Sequence, residues 1–257
     1  MKITNYASDF SATGLGNTNR ALDYIAAASI TDVAKQNKLK ALYTALNSAG
    51  IWSKLEVIRL LNNLTLTASA LNFKNPSLYV ANIDNTSPAK FTANGYDFNV
   101  GAAYIGNYPI NDANGDLLNF HMHAYNFNAE TATNTSASFM GLFIGTNIEL
   151  SLRRKPVTST YIRQKLTLAG ADLTKTGLLS GAKVGSALKL YDAGALKMTS
   201  NITDAATTIS GNIWEGAFGT TAAWKTLTTI PFIAYGKGAW TDADELALYN
   251  AVTAYLA

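Results

Sequence analysis

The sequence predicts a mainly β protein: an antiparallel β-sandwich with helices before it and one helix closing the chain. Three observations carry that expectation. Beyond Asn62 the chain breaks into short segments rich in aromatic and β-branched residues, separated by Asn, Gly, Asp and Pro at the spacing of antiparallel strands. Helical periodicity is confined to the two ends. No long amphipathic helices alternate with the strands, which argues against a parallel α/β sheet. With 257 residues, 48% of them hydrophobic, the chain can bury a full core.

The elements follow in order. Residues up to about Asn19 are polar and carry no periodicity, so they read as an extended arm. Ala21, Leu22, Ile25 and Ala26 form a short helical stripe. A stronger one runs through Val33, Leu39, Leu42, Tyr43 and Leu46, opened by Ser29 or Thr31 and stopped near Gly50. A third apolar segment, IWSKLEVIRLL, follows at once. The organisation is then an arm and helical segment over residues 1–62 and a sandwich over 63–257. Strand-like segments are SLYVANI, FTANGYDF, LNFHMHAYNF, SFMGLFIG, IELSLRR, STYIRQKLTL and ALKLYDAGALKM. Asn114-Gly115 marks a hairpin, and Gly194 another tight turn.

At the C-terminus a strand is expected from Ile230 to Tyr235, then a turn through Gly236 and Gly238. The closing helix starts at Asp242, with Thr241 as N-cap and Asp242, Asp244 and Glu245 in the first turn, where free amides and the helix dipole favour acids. Leu246, Tyr249 and Val252 are the face expected on the core, and Trp240 a staple onto the body.

Composition excludes several classes of function. Charged residues make up 14%, about half the usual share, and Asn, Thr, Ser, Gly and Ala replace them. Such a neutral, hydroxyl-rich surface suits packing among other proteins or facing glycans. A net charge of +3, scattered along the chain, is not that of a nucleic-acid binder. The absence of cysteine removes disulfides, thiolate chemistry and Cys-type zinc sites. No apolar run has signal-peptide or membrane-spanning length, so the expectation is a soluble chain without membrane insertion.

Few constellations carry chemistry. Retaining glycosidases need two carboxyl groups about 5 Å apart, often from alternate residues of one strand. Glu56, Glu130, Glu149 and Glu215 are isolated in sequence, and no Glu-x-Asp-x-x-Glu run occurs. Asp112, Asn114 and Asp116 alternate as calcium ligands do, but the glycine is misplaced and no closing Glu follows, which favours a solvated hairpin. His121 and His123 share one face of a strand, where they make either half of a zinc site or a polar sheet face. They are the only histidines, and no Gly-x-Ser-x-Gly elbow accompanies them. These patterns give no catalytic residue, no metal site and no cofactor.

Two groups are candidates for binding. Arg153, Arg154 and Lys155, with Arg163 and Lys165 beyond them, form the basic cluster of the chain. They suit an anionic polysaccharide or acidic partner, although charges guarding exposed strand edges are the favoured explanation. Tyr108, Trp214 and Trp224 fall in or near expected turns, where aromatics stack on sugar rings or anchor interfaces. Trp214 and Trp224 bracket the small-residue stretch EGAFGTTAA, which makes them the preferred recognition residues.

The order of landmarks adds a resemblance. ALYTALNSAGIWSKLEVIRLL, ALNFKNP, ANGYDFN, SFMGLFIG, GSALKLYDAGALKMTS and FIAYGKGAWTDADELALYNAVTAYL occur in an order similar to that of bacteriophage and prophage virion proteins with a concanavalin A-like (laminin-G-like) jelly roll. The resemblance spans about residues 27–257. It implies a non-enzymatic structural protein at the particle surface: a capsid decoration, head fibre or tail-associated component. Implied partners are other virion proteins and its own copies, a trimer among the forms allowed, with host surface glycans as ligands. No catalytic set comes with it. The alternatives are a soluble lectin-like module and, third, a glycoside hydrolase.

Overall fold

The computed structural model describes residues 20–62, 65–83, 91–97, 104–111, 119–128, 137–144, 147–155, 159–164, 167–171, 176–201, 210–215 and 228–257. The expected arm up to Asn19, the Asn114-Gly115 hairpin and Trp224 lie outside the described residues.

Four helices and sixteen strands occur among them. The helices are α1 (Ala21–Ala27), α2 (Val33–Ser48), α3 (Leu66–Ala70) and α4 (Asp242–Leu256). The first eight strands are β1 (Val57–Leu60), β2 (Asn82–Ile83), β3 (Phe91–Thr92), β4 (Gly95–Asp97), β5 (Tyr104–Asn111), β6 (Asn119–Asn126), β7 (Ala137–Ile144) and β8 (Asn147–Lys155). The remainder are β9 (Ser159–Gln164), β10 (Thr167–Ala171), β11 (Gly177–Val184), β12 (Ala187–Asp192), β13 (Ala195–Asn201), β14 (Ser210–Glu215), β15 (Thr229–Ile230) and β16 (Phe232–Lys237). A six-stranded sheet has the order β1-β16-β6-β11-β12-β13 and a seven-stranded sheet the order β10-β9-β8-β7-β14-β5-β2. A third, small sheet has the order β15-β4-β3, and its Tyr96 and Ile230 join the core between the other two. The fold is the expected antiparallel sandwich with one terminal helix.

Alternation along β6 shows how the layers stack. Phe120, Met122 and Ala124 enter one core with Ile110, Met140, Leu152 and Ile213 of the other sheet. The opposite face of the six-stranded sheet, with Leu178, Ala182, Phe232 and Ala234, packs on Leu39, Leu42 and Leu46 of α2 and Leu248 and Val252 of α4. The order is therefore helices, six-stranded sheet, seven-stranded sheet. Both faces of the middle layer are covered, so His121 and His123 are buried, not half-exposed.

Local differences from the sequence reading have clear causes. The segment IWSKLEVIRLL ends in β1, which pairs with β16, so the six-stranded sheet takes a strand from before residue 62. Helix α2 is capped by Asp32, not by Ser29 or Thr31: its carboxylate accepts from Lys35 N at 2.8 Å, and Ser29 stands at φ 53° in the preceding turn. Gly236 lies inside β16, not in a turn, and the chain turns at Gly238, φ +112°. The turn expected at Gly194 is a two-residue one, with Ala193 at φ 49° and Gly194 at φ 80°, as a type I′ turn requires. Helix α4 carries a complete capping box between Thr241 and Asp244. Its buried face runs through Glu245, Leu248, Val252 and Tyr255, whereas Leu246 is half exposed.

Candidate functional site

The two histidines belong to a buried hydrogen-bonded chain beneath α4. His121 Nδ1 lies 2.8 Å from His123 Nε2, and His123 Nδ1 lies 2.8 Å from Ser180 Oγ. His121 Nε2 is 3.1 Å from the carbonyl oxygen of Lys54. Ser180 donates to Glu245 Oε1 at 2.7 Å, and Trp240 Nε1 donates to Glu245 Oε2 at 2.9 Å. The indole of Trp240 stacks on the His121 ring, centroids 4.1 Å apart. All five side chains are at most 1% exposed. Gly236 makes the Lys54 contact feasible: a Cβ there would sit 2.1 Å from that carbonyl.

Counting hydrogens assigns the chemistry. A carbonyl only accepts, so His121 carries its proton on Nε2 and its Nδ1 must accept from His123 Nε2. His123 Nδ1 also lies 3.3 Å from Glu245 Oε2. Burial, reinforced by the neighbouring His123, holds the His121 imidazole well below the usual histidine range. This is not a nucleophilic triad. Ser180 and Glu245 meet the same ring nitrogen of His123, the hydroxyl donates to the carboxylate, and solvent does not reach any of them.

A second buried group ties the two sheets together. Arg59 on β1 places Nε 3.1 Å from both carboxylate oxygens of Glu215 on β14. Its terminal nitrogens donate to the carbonyls of Ala70, at 2.9 Å, and Tyr79. Tyr235 donates to Glu215 Oε1 at 2.7 Å. Burial opposes the charge of Arg59, yet Glu215 and Tyr235 outweigh it and the guanidinium holds its proton more tightly than usual. Burial and the adjacent Glu215 push the Tyr235 hydroxyl well above the usual tyrosine range. Glu215 is thereby sealed and committed, so it offers no carboxylate to a substrate. Among the described residues no cluster of His, Asp and Glu is placed to hold a metal ion.

The binding candidates sort differently. Tyr108 is a core residue, not a turn residue: it sits within β5, is 2% exposed and packs edge-on against Tyr79 and Tyr235. A ligand at the surface cannot stack on it. Trp214 lies on β14, beside Ile105 of β5 and Gly141 of β7. Arg153, Arg154 and Lys155 end β8, an interior strand paired with β9 and, through Arg153 and Arg154, with β7. The edges of that sheet are β10 and β2, so the basic cluster does not guard an edge.

Register brings several of these positions into rows. Glu215, Met140 and Leu152 are cross-strand neighbours, all buried in the inter-sheet core. The adjacent row belongs to the opposite, outer face, because successive residues of a strand alternate. It runs Asn82, Ile105, Trp214, Gly141, Ser151, Arg163 and Leu168 across all seven strands. Two residues along β8, the next outer row holds Ser138, Arg153, Tyr161 and Gly170. Sequence reading singled out Trp214, Arg153 and Arg163 separately; the register that joins them, with Ser151 and Tyr161, has no local signature.

No protein-family model matches the chain, and no curated protein matches it. Solved structures do. A mutant of Trypanosoma rangeli sialidase displaying trans-sialidase activity matches at a TM-score of 0.59 with 12% identity, over 87% of this chain and 40% of the sialidase. Trypanosoma rangeli sialidase in complex with sialic acid matches at 0.57 with 12% identity, over 84% and 39% respectively. The chain thus spans about two fifths of the length of these structures, and the likeness is one of fold.

Proposed function

We propose that this chain is a non-catalytic carbohydrate-binding sandwich of a bacteriophage virion, with the outer face of its seven-stranded sheet turned toward host surface glycans. The observation that carries the reading is the outer row, where Trp214 and Ser151 flank Gly141. A tryptophan supplies a flat apolar surface for a sugar ring and hydroxyls supply polar contacts, while a glycine adds no side chain between them. The fold shared with a carbohydrate-active protein supports the same class of ligand. The sealed state of Glu215 and of the His121–Glu245 chain favours binding over hydrolysis.

The virion setting rests on the order of landmarks in the sequence and on the sparsely charged, hydroxyl-rich composition. Helices α1 and α2 with the residues before them are the part that attaches the sandwich to other virion proteins or to its own copies.

Binding is tested on a glycan array with the intact chain, followed by titration of the best ligand against Trp214→Ala. Micromolar to millimolar binding weakened about tenfold or more by the substitution is the expected result. A blank array removes the carbohydrate reading. Mass spectrometry of purified particles tests the setting: a signal stoichiometric with a shell or tail protein is expected, and absence from intact particles leaves a soluble lectin-like module.

A further inference from the structure

Resting on that carbohydrate reading, we infer a second sugar site on the helix side of the six-stranded sheet. It lies where Tyr125 and Phe127, at and just beyond the end of β6, meet Tyr249 and Thr253 of α4, and it takes one uncharged sugar ring. Two step lengths place the four residues. Glu245 of α4 lies 3.3 Å from His123 of β6. One helical turn on, Tyr249 stands near Tyr125, two residues further along β6, and both pack on the core between sheet and helices. Four helical residues advance about 6 Å and two strand residues about 6.6 Å, so α4 keeps pace with β6. The next pair along is Thr253 and Phe127, and alternation puts Phe127 on the same side as Tyr125.

The site is open to solvent and held in shape. Phe127 is 41% exposed, and Tyr125, Tyr249 and Thr253 are half-buried. Phe127 is pinned through its backbone, its amide donating to the carbonyl of Thr229 at 2.9 Å. Thr228 ties the residues on either side, its hydroxyl reaching Asn126 and the carbonyl of Asn128. Tyr249 rests on the turn at Gly194, where a Cβ would come within 3.0 Å of Tyr249 Cβ. An aromatic surface fixed before the ligand arrives loses little freedom on binding.

Charge and hydrogen bonding select the ligand. The segments that meet here, residues 125–128, 228–232 and 249–257, contain no Asp, Glu, Lys or Arg. Their side-chain polar groups are hydroxyls and amides, among them the exposed Asn128 and Asn250. Thr253 Oγ1 is buried with no hydrogen-bond partner, not even the carbonyl one turn back to which a helical threonine can turn. A ligand hydroxyl supplies the missing partner. A ring with apolar faces and a rim of hydroxyls matches the three aromatic side chains and that oxygen, whereas no charge in these segments would hold a carboxylate or a phosphate. The levels of Tyr249 and Thr253 are about 6 Å apart, the span of one ring.

The test is an NMR titration of the isotope-labelled intact chain with lactose, maltose and cellobiose in turn, at low salt and again at about 0.5 M NaCl. At least one sugar is expected to shift the amides of Phe127, Asn128, Asn250 and Thr253 together, with an affinity that salt does not change. Phe127→Ala is expected to weaken that binding about tenfold or more. Thr253→Val, which keeps the shape and removes the hydroxyl, is expected to weaken it about threefold or more while the melting temperature holds or rises. A threonine with only a structural role would not give that split. Leu22→Ala on α1, which also trims an exposed apolar side chain, leaves binding unchanged. The amide shifts are read in the unaltered chain, so they decide the matter even if a variant fails to fold. Shifts with none of the three sugars, or shifts confined to the seven-stranded sheet, overturn this inference and leave the carbohydrate reading standing where the array is positive. Binding that survives Phe127→Ala at full strength also overturns it; a blank array removes both.

Discussion

His121 and His123 occupy a strand with both faces covered, so each of their ring nitrogens must find a partner inside the protein. His123 Nε2 donates to His121 Nδ1 and His121 Nε2 to the carbonyl of Lys54, while His123 Nδ1 meets the Ser180 hydroxyl, which donates to Glu245. The groups facing His121 are His123 on its own strand, Lys54 before β1 and, one link further, Ser180 on β11 and Glu245 on α4. Because burial lowers the affinity of His121 for a second proton, the unfolded chain binds more protons than the native one below about pH 6.5. The stability this group contributes is present above that pH and is lost as pH falls below it. Melting temperatures between pH 7.5 and 5 are therefore expected to decline, with a shallower slope in His121→Gln; identical slopes would refute the assignment. Sequence reading placed both imidazoles on one face correctly. It had no means of finding Ser180 or Glu245, which lie 57 and 122 positions from His123.

At the scale of elements, α4 is held by its ends and by its buried face. The capping box at Thr241 and Asp244 fixes the start, and Asp244 also meets Lys54 at 2.6 Å. Glu245 then turns the helix so that its carboxylate, and not Leu246, faces the sheet. The cap was legible because it depends on four consecutive residues. The rotation was not, since hydrophobic spacing alone prefers Leu246 inside. Strand β16 contributes through Gly236, whose missing side chain admits the Lys54 carbonyl to His121. Gly236→Ala is expected to cost about 2–4 kcal/mol, because the segment at Lys54 must move and leave the buried imidazole short of an acceptor. Urea denaturation measures it, and a loss below about 0.5 kcal/mol, the level of an ordinary surface change, would contradict the role.

At the scale of the whole molecule, the buried pair Arg59–Glu215 joins the two sheets among the described residues. Arg59 and Glu215 are 156 positions apart and wholly buried, so each is tolerable only with the other present. Glu215→Gln is expected to destabilise the protein by about 3–5 kcal/mol, and Arg59→Met/Glu215→Leu to recover much of that loss. Additive losses in the double variant would show that the pair does not act as a unit. The sequence by itself determined the fold class, the helical ends, the cap at Thr241 and the turn at Gly194. Each of these depends on periodicity or on a few adjacent residues, and such preferences act before the chain has folded. Only the tertiary structure decided that Tyr108 is core, that the histidines are sealed, that Arg59 meets Glu215, and that Trp214, Arg153 and Arg163 share one face. These are consequences of strand order and register. A shift of one residue in pairing would send every side chain of a strand to the other face, and the choice is made by burial of distant segments against one another.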